Sequence, residues 1–272
     1  MKLKEIPLSL FSELYLKSLN SNKLKNVKSN HSDIIVSFTT IPSRLKKVHI
    51  TVRSILNQKL QPKKIILWLN ESDKKYVPES LLKLEGSIFN IKYVTLNCPH
   101  IKLVYALEQF PEECIVTCDD DFIYDRNWLK RLSEEHLKHP NNIIALKVRQ
   151  IQFDNNKKLL PYKSWNLSDI KKNKTVLAIG SEGVLYPPKA FLPIAIDSEL
   201  FLKLTPKADD LWFKAMAILN NTEITLAQNP PKEPIPVFGT QEISLKKANV
   251  GQNQNVKQME NLIEHFKLNL HE

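Results

Sequence analysis

The chain has 272 residues, 42% of them apolar and 25% charged, with five glycines and a formal net charge of +10. That length holds one large domain or two small ones, and the ordinary apolar content excludes wholesale disorder. So few glycines leave little room for a Gly-x-Gly-x-x-Gly or Walker loop, and neither occurs. The positive charge favours anionic partners, whether nucleic acid, anionic lipid headgroups or phosphorylated small molecules.

The first thirty residues stand apart as an N-terminal extension, residues 1–30, ahead of a main domain over residues 31–272. Leu8, Phe11, Leu14 and Tyr15 have helical spacing, and Lys17, Lys23, Lys25 and Lys28 follow. A basic amphipathic helix of this kind can lie on an anionic membrane. The lysines come after the apolar stripe and not opposite it, which favours a helix packed on the domain followed by a solvated linker. No long apolar core with a small-residue cleavage site opens the chain, and no run reaches the roughly 18 apolar residues of a membrane span. The expected location is the cytoplasm, with peripheral contact at the inner face of the membrane.

From Asp33 strands and helices alternate. Ile34 to Phe38 reads as a strand. Leu45, Val48, Val52, Ile55 and Leu56 then recur on one helical face. Ile65 to Leu69, Ile91 to Leu96 and Cys114 to Cys118 read as further strands, with a short helix marked by Leu103, Leu107 and Phe110. Such alternation predicts an α/β fold with a mostly parallel sheet and helices on both faces. The loop Thr39-Thr40-Ile41-Pro42-Ser43-Arg44 follows the first strand and offers hydroxyls and a guanidinium to a phosphate or base. Asn70-Glu71 ends the second strand with polar groups fit for a base or ribose. Ordinary capping explains Ser43 equally well.

The chain is organised around Cys114-Ile115-Val116-Thr117-Cys118-Asp119-Asp120-Asp121. Three adjacent carboxylates repel one another, and they sit best where a strand has ended and a cation neutralises them. Hard oxygen ligands of this type suit Mg²⁺ or Mn²⁺, and ligands of open α/β sheets bind at the carboxyl ends of the strands. The plainer reading is a polar turn capping the next helix, Arg126 to His139. Cys98, Cys114 and Cys118 are odd in number, and two flank a strand, which argues for a reducing compartment and against a disulfide framework. Cys114 and Cys118 read as small buried hydrophobes more readily than as half a zinc site.

Past the triplet, Ile143 to Val148 and Val176 to Ile179 read as strands, with a Lys-rich excursion over 154–173 between them. Gly180-Ser181-Glu182-Gly183 allows close backbone approach to a ligand. Tyr186 and Trp165 can stack on a sugar or pack in the core. Asp209-Asp210 opens a helix whose face is Leu211, Trp212, Ala215, Met216 and Leu219. A helix N-terminus keeps a carboxylate ionised, and such a group can serve as a general base. A plain N-cap needs only one of the two. Prolines dominate from Asn229 to Pro236, Gln252 to Asn255 is polar, and Val256, Met259, Leu262, Ile263 and Phe266 mark a C-terminal helix.

Taken in order, Thr-Thr-Ile-Pro-Ser-Arg, Ile-Leu-Asn-Gln, Lys-Leu-x-x-Ala-Leu, Val-Thr-Cys-Asp-Asp-Asp, Gly-Val-Leu-Tyr-Pro-Pro and Ala-Asp-Asp-Leu-Trp-Phe resemble a bacterial glycosyltransferase of the GT-A fold. The chain is similar to family-2-type enzymes of surface polysaccharide assembly, lipopolysaccharide and capsule included. The resemblance runs from about Asp33 to about Asn255. It implies Mn²⁺ or Mg²⁺ on Asp119 and Asp121, with Asp120 toward the sugar or ribose. It implies Thr39, Thr40, Arg44, Asn70 and Glu71 around the nucleotide of a UDP-sugar, and Lys102 at its diphosphate. It places Asp209 and Asp210 beside a glycan or lipid-linked acceptor, with Asp210 as base and inversion at the anomeric carbon. The family's usual late His ligand is not evident. Two other classes compete. Asp119-x-Asp121 also resembles the nucleophile loop of haloacid-dehalogenase-like phosphatases, but that loop follows the first strand and not the fourth. Net charge alone suggests a nucleic-acid binder, but the basic residues are dispersed and lack interleaved aromatics, so no nucleic-acid partner is expected.

Overall fold

The computed structural model describes residues 5–27, 29–166, 173–241 and 253–270. Lys28, residues 167–172 of the Lys-rich excursion and Gln252 lie outside the described residues. Seven strands form the main sheet: β1 (Ile35–Thr39), β2 (Lys64–Asn70), β3 (Phe89–Val94), β4 (Ile115–Thr117), β6 (Ile143–Ala145), β9 (Val184–Tyr186) and β10 (Ile224–Leu226). Their order is β10-β6-β9-β4-β1-β2-β3. All pairs are parallel except the two made by β9, which runs antiparallel between β4 and β6. The α/β fold with a mostly parallel sheet is therefore the one expected. The helices are α1 (Ile6–Ser18), α2 (Ser21–Lys25), α3 (Leu45–Leu56), α4 (Glu79–Leu82), α5 (Ile101–Gln109), α6 (Trp128–Lys138), α7 (Ser198–Leu204), α8 (Asp209–Leu219) and a C-terminal helix, Gln254–Phe266.

Successive strand residues point to opposite faces, and the sequence uses both faces for apolar burial, as parallel strands covered on both sides do. On β1, Val36 and Phe38 join Val48, Val52, Leu129 and Leu132 in the core under α3 and α6. Ile35 joins Ile66, Trp68, Ile115 and Tyr186 in the core under α5 and α8. Ser37 is the polar exception on that second face, and it is satisfied. It accepts from Trp68 Nε1 at 2.8 Å and donates to the Lys102 carbonyl at 2.5 Å, which ties the first turn of α5 to β1.

Two expectations change. The strand expected over Ile143 to Val148 splits, because the chain leaves the main sheet after Ala145 and pairs β7 (Val148–Gln150) with β8 (Val176–Ala178) in a separate ribbon. The stretch after Gly183, to which no element was assigned from the sequence, supplies β9 to the middle of the sheet. Trp165 and Tyr186 are core residues, at 0% and 4% exposure, so the packing alternative holds for both.

Helix α1 packs on α3 and on β11 (Ile235–Pro236), which itself pairs with β5 (Phe122–Ile123). Arg53 of α3 donates to the carbonyls of Leu16 and Leu19 at 3.0 and 2.8 Å, satisfying acceptors that a helix end leaves open. The packed face of α1, however, is Ser9, Glu13 and Leu16. The apolar stripe points outward.

Candidate active site

The carboxyl ends of β1, β2 and β4 lie along one edge of the sheet. Because β9 is antiparallel to β4, with Val184 opposite Thr117, its amino end and the preceding Gly180–Gly183 loop reach the same edge. Gly183 sits at φ +120° where a Cβ would come within 2.5 Å of Trp128 Nε1. The loop is seated from below: Trp128 Nε1 donates to the Glu182 carbonyl at 2.7 Å, and the Tyr124 hydroxyl to that of Ser181 at 3.0 Å.

The Asp triplet fans out from the end of β4. Asp120 is buried, accepts from the Thr40 hydroxyl, and meets Arg44 Nη1 at 2.7 Å. Its backbone carbonyl accepts from Thr51 Oγ1 at 2.8 Å. Asp121 is also buried. It meets Arg44 Nη2 at 3.1 Å and accepts from Gln241 Nε2 at 2.7 Å. One guanidinium thus bridges two carboxylates, the forked geometry for which Arg is suited. Burial first, then the charges of Asp120 and Asp119, push Asp121 up to about 7. Burial likewise raises Asp120, against the opposing pull of Arg44. Asp119 is the open member, with its side chain 35% exposed.

The second acidic pair opens α8. Lys102 Nζ, nearly buried, lies 2.9 Å from Asp209 and 3.4 Å from Asp119, so it links the two clusters. Burial alone would raise Asp209, but the Lys102 ammonium outweighs it and holds the carboxyl below its ordinary value. Among the described residues Asp210 makes no ion pair of this kind, and Lys102 pulls on it only as a weaker counterweight. Its carboxylate accepts the Gly180 amide at 3.2 Å, and it keeps a partly exposed edge. Close packing, followed by the negative charge of Asp209, pushes it up to about 7. Gly180 lets both side chains approach: a Cβ would stand 2.9 Å from Asp210 Oδ1 and from Lys102 Nζ, and one of them would have to shift.

The profile of the family described as Glycosyl transferase family 2 matches residues 34–201, well over half of the chain. The chain belongs to glycosyl transferase family 2. The enzyme class expected from the sequence is therefore the right one. The matched segment holds β1, the Asp triplet and the Gly180 loop, and it ends before Asp209 and Asp210. Among solved structures the transferase is similar to a 4-diphosphocytidyl-2C-methyl-D-erythritol synthase from Anaerococcus prevotii, at 13% identity and TM-score 0.48, over 77% of this chain and 91% of that one. It is also similar to S. aureus TarS 1–349, solved in complex with UDP, at 16% identity and TM-score 0.45, over 72% of this chain and 59% of that one. No curated protein matches the sequence.

In the transferase the expected site residues fall into one constellation and a periphery. Thr40, Arg44, Lys102, Asp119, Asp120, Asp121 and Asp209 are joined by direct contacts, and Asp210 adjoins them through Gly180. Thr39 lies at the same edge and donates to the Trp68 carbonyl at 2.9 Å. Asn70 is the cap of the turn that follows β2, accepting from the Ser72 amide at 3.0 Å and donating to Thr95 O at 2.8 Å. Glu71 is exposed. Sequence reasoning missed Gln241 and Tyr124. Gln241 follows a proline-rich tail with no pattern to mark it. Tyr124, whose hydroxyl accepts the Asp119 amide at 2.9 Å, reads in sequence as one more apolar residue after the triplet.

A divalent ion can be tested against this arrangement. Among the described residues five carboxylates face two cations, a formal surplus of three negative charges. Among the described residues no three acidic, His or Cys side chains already converge on one point. The donor set nonetheless suits a hard dication, and Asp119 presents an open carboxylate oxygen. The residues fit in charge and chemistry.

Proposed function

We propose that this family 2 transferase moves a sugar from a nucleoside-diphosphate donor, a UDP-sugar, to a hydroxyl of a glycan or lipid-linked acceptor in surface polysaccharide assembly, with inversion. The observation that carries the reading is the state of Asp210. It is a carboxyl at a helix N-terminus, pushed up to about 7, partly open, and seated on the Gly180 amide beside the Asp triplet. A base whose pKa lies near the working pH is suited to proton transfer.

In this reading Asp210 takes the acceptor hydroxyl's proton as the oxygen attacks the anomeric carbon. The new glycosidic bond forms while the bond to the diphosphate oxygen breaks, and the nucleoside diphosphate leaves with the electron pair. Asp209, held by Lys102, positions the acceptor; the cap position of α8 is Ala208, with no side-chain cap bond, so the capping role expected of one Asp is not filled by it. Thr39, Thr40, Arg44, Asn70 and Glu71 surround the nucleotide, with Asp120 toward its ribose or the sugar. Asp119 and Asp121 would hold Mn²⁺ or Mg²⁺, which supplies charge stabilisation to the departing diphosphate. Lys102 meets the same diphosphate from α5.

The test is a thermal-shift screen of nucleotide sugars with and without Mn²⁺, followed by NMR of the product. A donor that binds the native state raises the melting temperature by mass action. Retained anomeric configuration in the product would exclude the single displacement.

A further inference from the structure

Helix α1 is turned inside out. Its buried positions are Ser9, Glu13 and Leu16, whereas Leu8, Phe11, Leu14 and Tyr15 are 53%, 72%, 66% and 45% exposed. With Pro7 and Leu10 they make one outward face, about half of the helix circumference at 100° per residue. Large contiguous apolar exposure of this kind marks an interaction surface. The buried polar residues explain the orientation. The Ser9 hydroxyl donates to the Pro236 carbonyl at 2.7 Å, and Glu13 accepts the Phe238 amide at 2.7 Å. Polar anchors hold the helix down and keep its apolar side out.

A further exposed aromatic lies on the segment that anchors α1. Phe238 is itself 37% exposed, and Lys47 Nζ lies 5.3 Å from its ring centroid. Lys47 stands one turn after the Thr39–Arg44 loop, so the apolar surface runs toward the donor side of the site. Around it the charge is one-sided. The first 28 residues hold six Lys and two Glu, and one of those, Glu13, is buried beneath the helix. Lys17 and Lys23 are exposed. Two copies apposed through this face would bring their lysines together, whereas anionic headgroups neutralise them.

We propose that the outward face of α1, with Phe238 and the flanking lysines, is a docking surface for an anionic lipid bilayer. The apolar side chains enter the headgroup region while the helix lies flat, and the active-site edge beyond Phe238 faces an acceptor carried in that bilayer. No helix among the described residues is long and apolar enough to cross a membrane, so the attachment is peripheral. The proposal deepens the reading of a lipid-linked acceptor, but its test measures binding alone and stands apart from the transfer chemistry.

The test is co-sedimentation of the full chain with phosphatidylglycerol–phosphatidylcholine vesicles and with pure phosphatidylcholine. Wild type should partition to the anionic vesicles and should be released by salt. Phe11→Glu/Leu14→Glu should lower partitioning by about tenfold or more, with an unchanged melting temperature and unchanged transfer to a soluble acceptor. Lys17→Gln/Lys23→Gln should lower it by about fivefold per lysine on anionic vesicles and leave phosphatidylcholine binding alone. Absence of wild-type binding, or equal binding by Phe11→Glu/Leu14→Glu, overturns the proposal. So does a dimer by light scattering that the same double variant dissociates, because a second copy would then be the occupant.

Discussion

The two acidic clusters solve one electrostatic problem in different ways. In the first, the Arg44 fork reaches both Asp120 and Asp121, so its charge is shared and neither carboxyl falls below its ordinary value. In the second, the Lys102 ammonium lies closer to Asp209 than to Asp119 and holds Asp209 ionised, while its pull on Asp210 does not offset burial and the charge of Asp209. The first cluster therefore offers oxygen ligands that need a further positive charge. The second offers a fixed anion beside a proton acceptor.

Breaking each cluster at its raised member should separate these roles. Asp121→Ala should abolish Mn²⁺-dependent transfer while the protein stays folded, because removing one of several repelling buried carboxyls relieves strain. Normal Mn²⁺-dependent turnover in that variant ends the metal assignment. Asp210→Asn should lower turnover by about 10² to 10⁴ and leave donor affinity intact in calorimetry, while Asp209→Asn does less harm to the chemical step. Wild-type rates in both variants would move the base elsewhere.

Asp210 also sets a pH signature. Turnover should rise as Asp210 loses its proton, with an apparent pKa near its value of about 7, read as a property of the coupled pair. Stability runs the other way. A carboxyl raised in the native state keeps a proton there after the unfolded chain has lost it, so its contribution is full below the unfolded pKa and is lost as pH rises through about 7. Asp209, lowered by Lys102, contributes in the opposite sense, losing its share as pH falls through its folded value. Asp210→Asn removes the first effect. Its melting temperature should match wild type in mild acid and exceed it at about pH 8. A melting curve that tracks wild type across that range would show that Asp210 is not raised.

A smaller effect follows from Gly180, whose lack of a side chain lets Asp210 and Lys102 approach the loop. Gly180→Ala should cost about 1–3 kcal/mol in chemical denaturation, as overpacking does, and should reduce turnover by displacing Asp210. An unperturbed variant would mean that Lys102 and Asp210 move apart easily and that the two clusters are not rigidly linked.

How much of this was legible in the sequence depends on the distance between cause and effect. Strand–helix alternation is local, and β1, α3, β2, β3, α5, β4 and α6 lie close to their expected places, whereas the short α4 and β5 were not foreseen. The Asp triplet, Arg44 and the α8 pair stood out as charges at element ends, with capping as the plainer alternative for the carboxylates, whereas Lys102 was reached only through the family resemblance. The place of β9 was not, because a three-residue strand between two neighbours is decided by pairing and not by its own pattern. The orientation of α1 was not visible for a related reason. An apolar stripe normally predicts the buried face, and only the long-range bonds from Ser9 and Glu13 to the Pro236–Phe238 segment reverse it. That segment in turn donates the Val237 amide to the Asp121 carbonyl at 2.8 Å, so the N-terminal helix braces the strand behind the triplet.

Gln241 gives the mildest way to sharpen the comparison. Its amide donates to Asp121 Oδ2 at 2.7 Å, and this bond favours the charged carboxylate against burial and its acidic neighbours. Gln241→Ala should remove about 1 kcal/mol of stability, the net worth of one such hydrogen bond. It should also raise Asp121 further. If Asp121 is a ligand, protons then compete more strongly with the metal. Mn²⁺ affinity should fall by about a few-fold below neutrality and return toward wild type once Asp121 is ionised in both proteins. Asp210 is held by a backbone amide and not by this side chain, so the apparent pKa of turnover at saturating Mn²⁺ should stay where it is. Calorimetric titrations across pH distinguish the outcomes. Superimposable affinity curves for wild type and Gln241→Ala would remove Asp121 from the metal's ligands, and a shifted turnover profile would mean that the two clusters titrate as one.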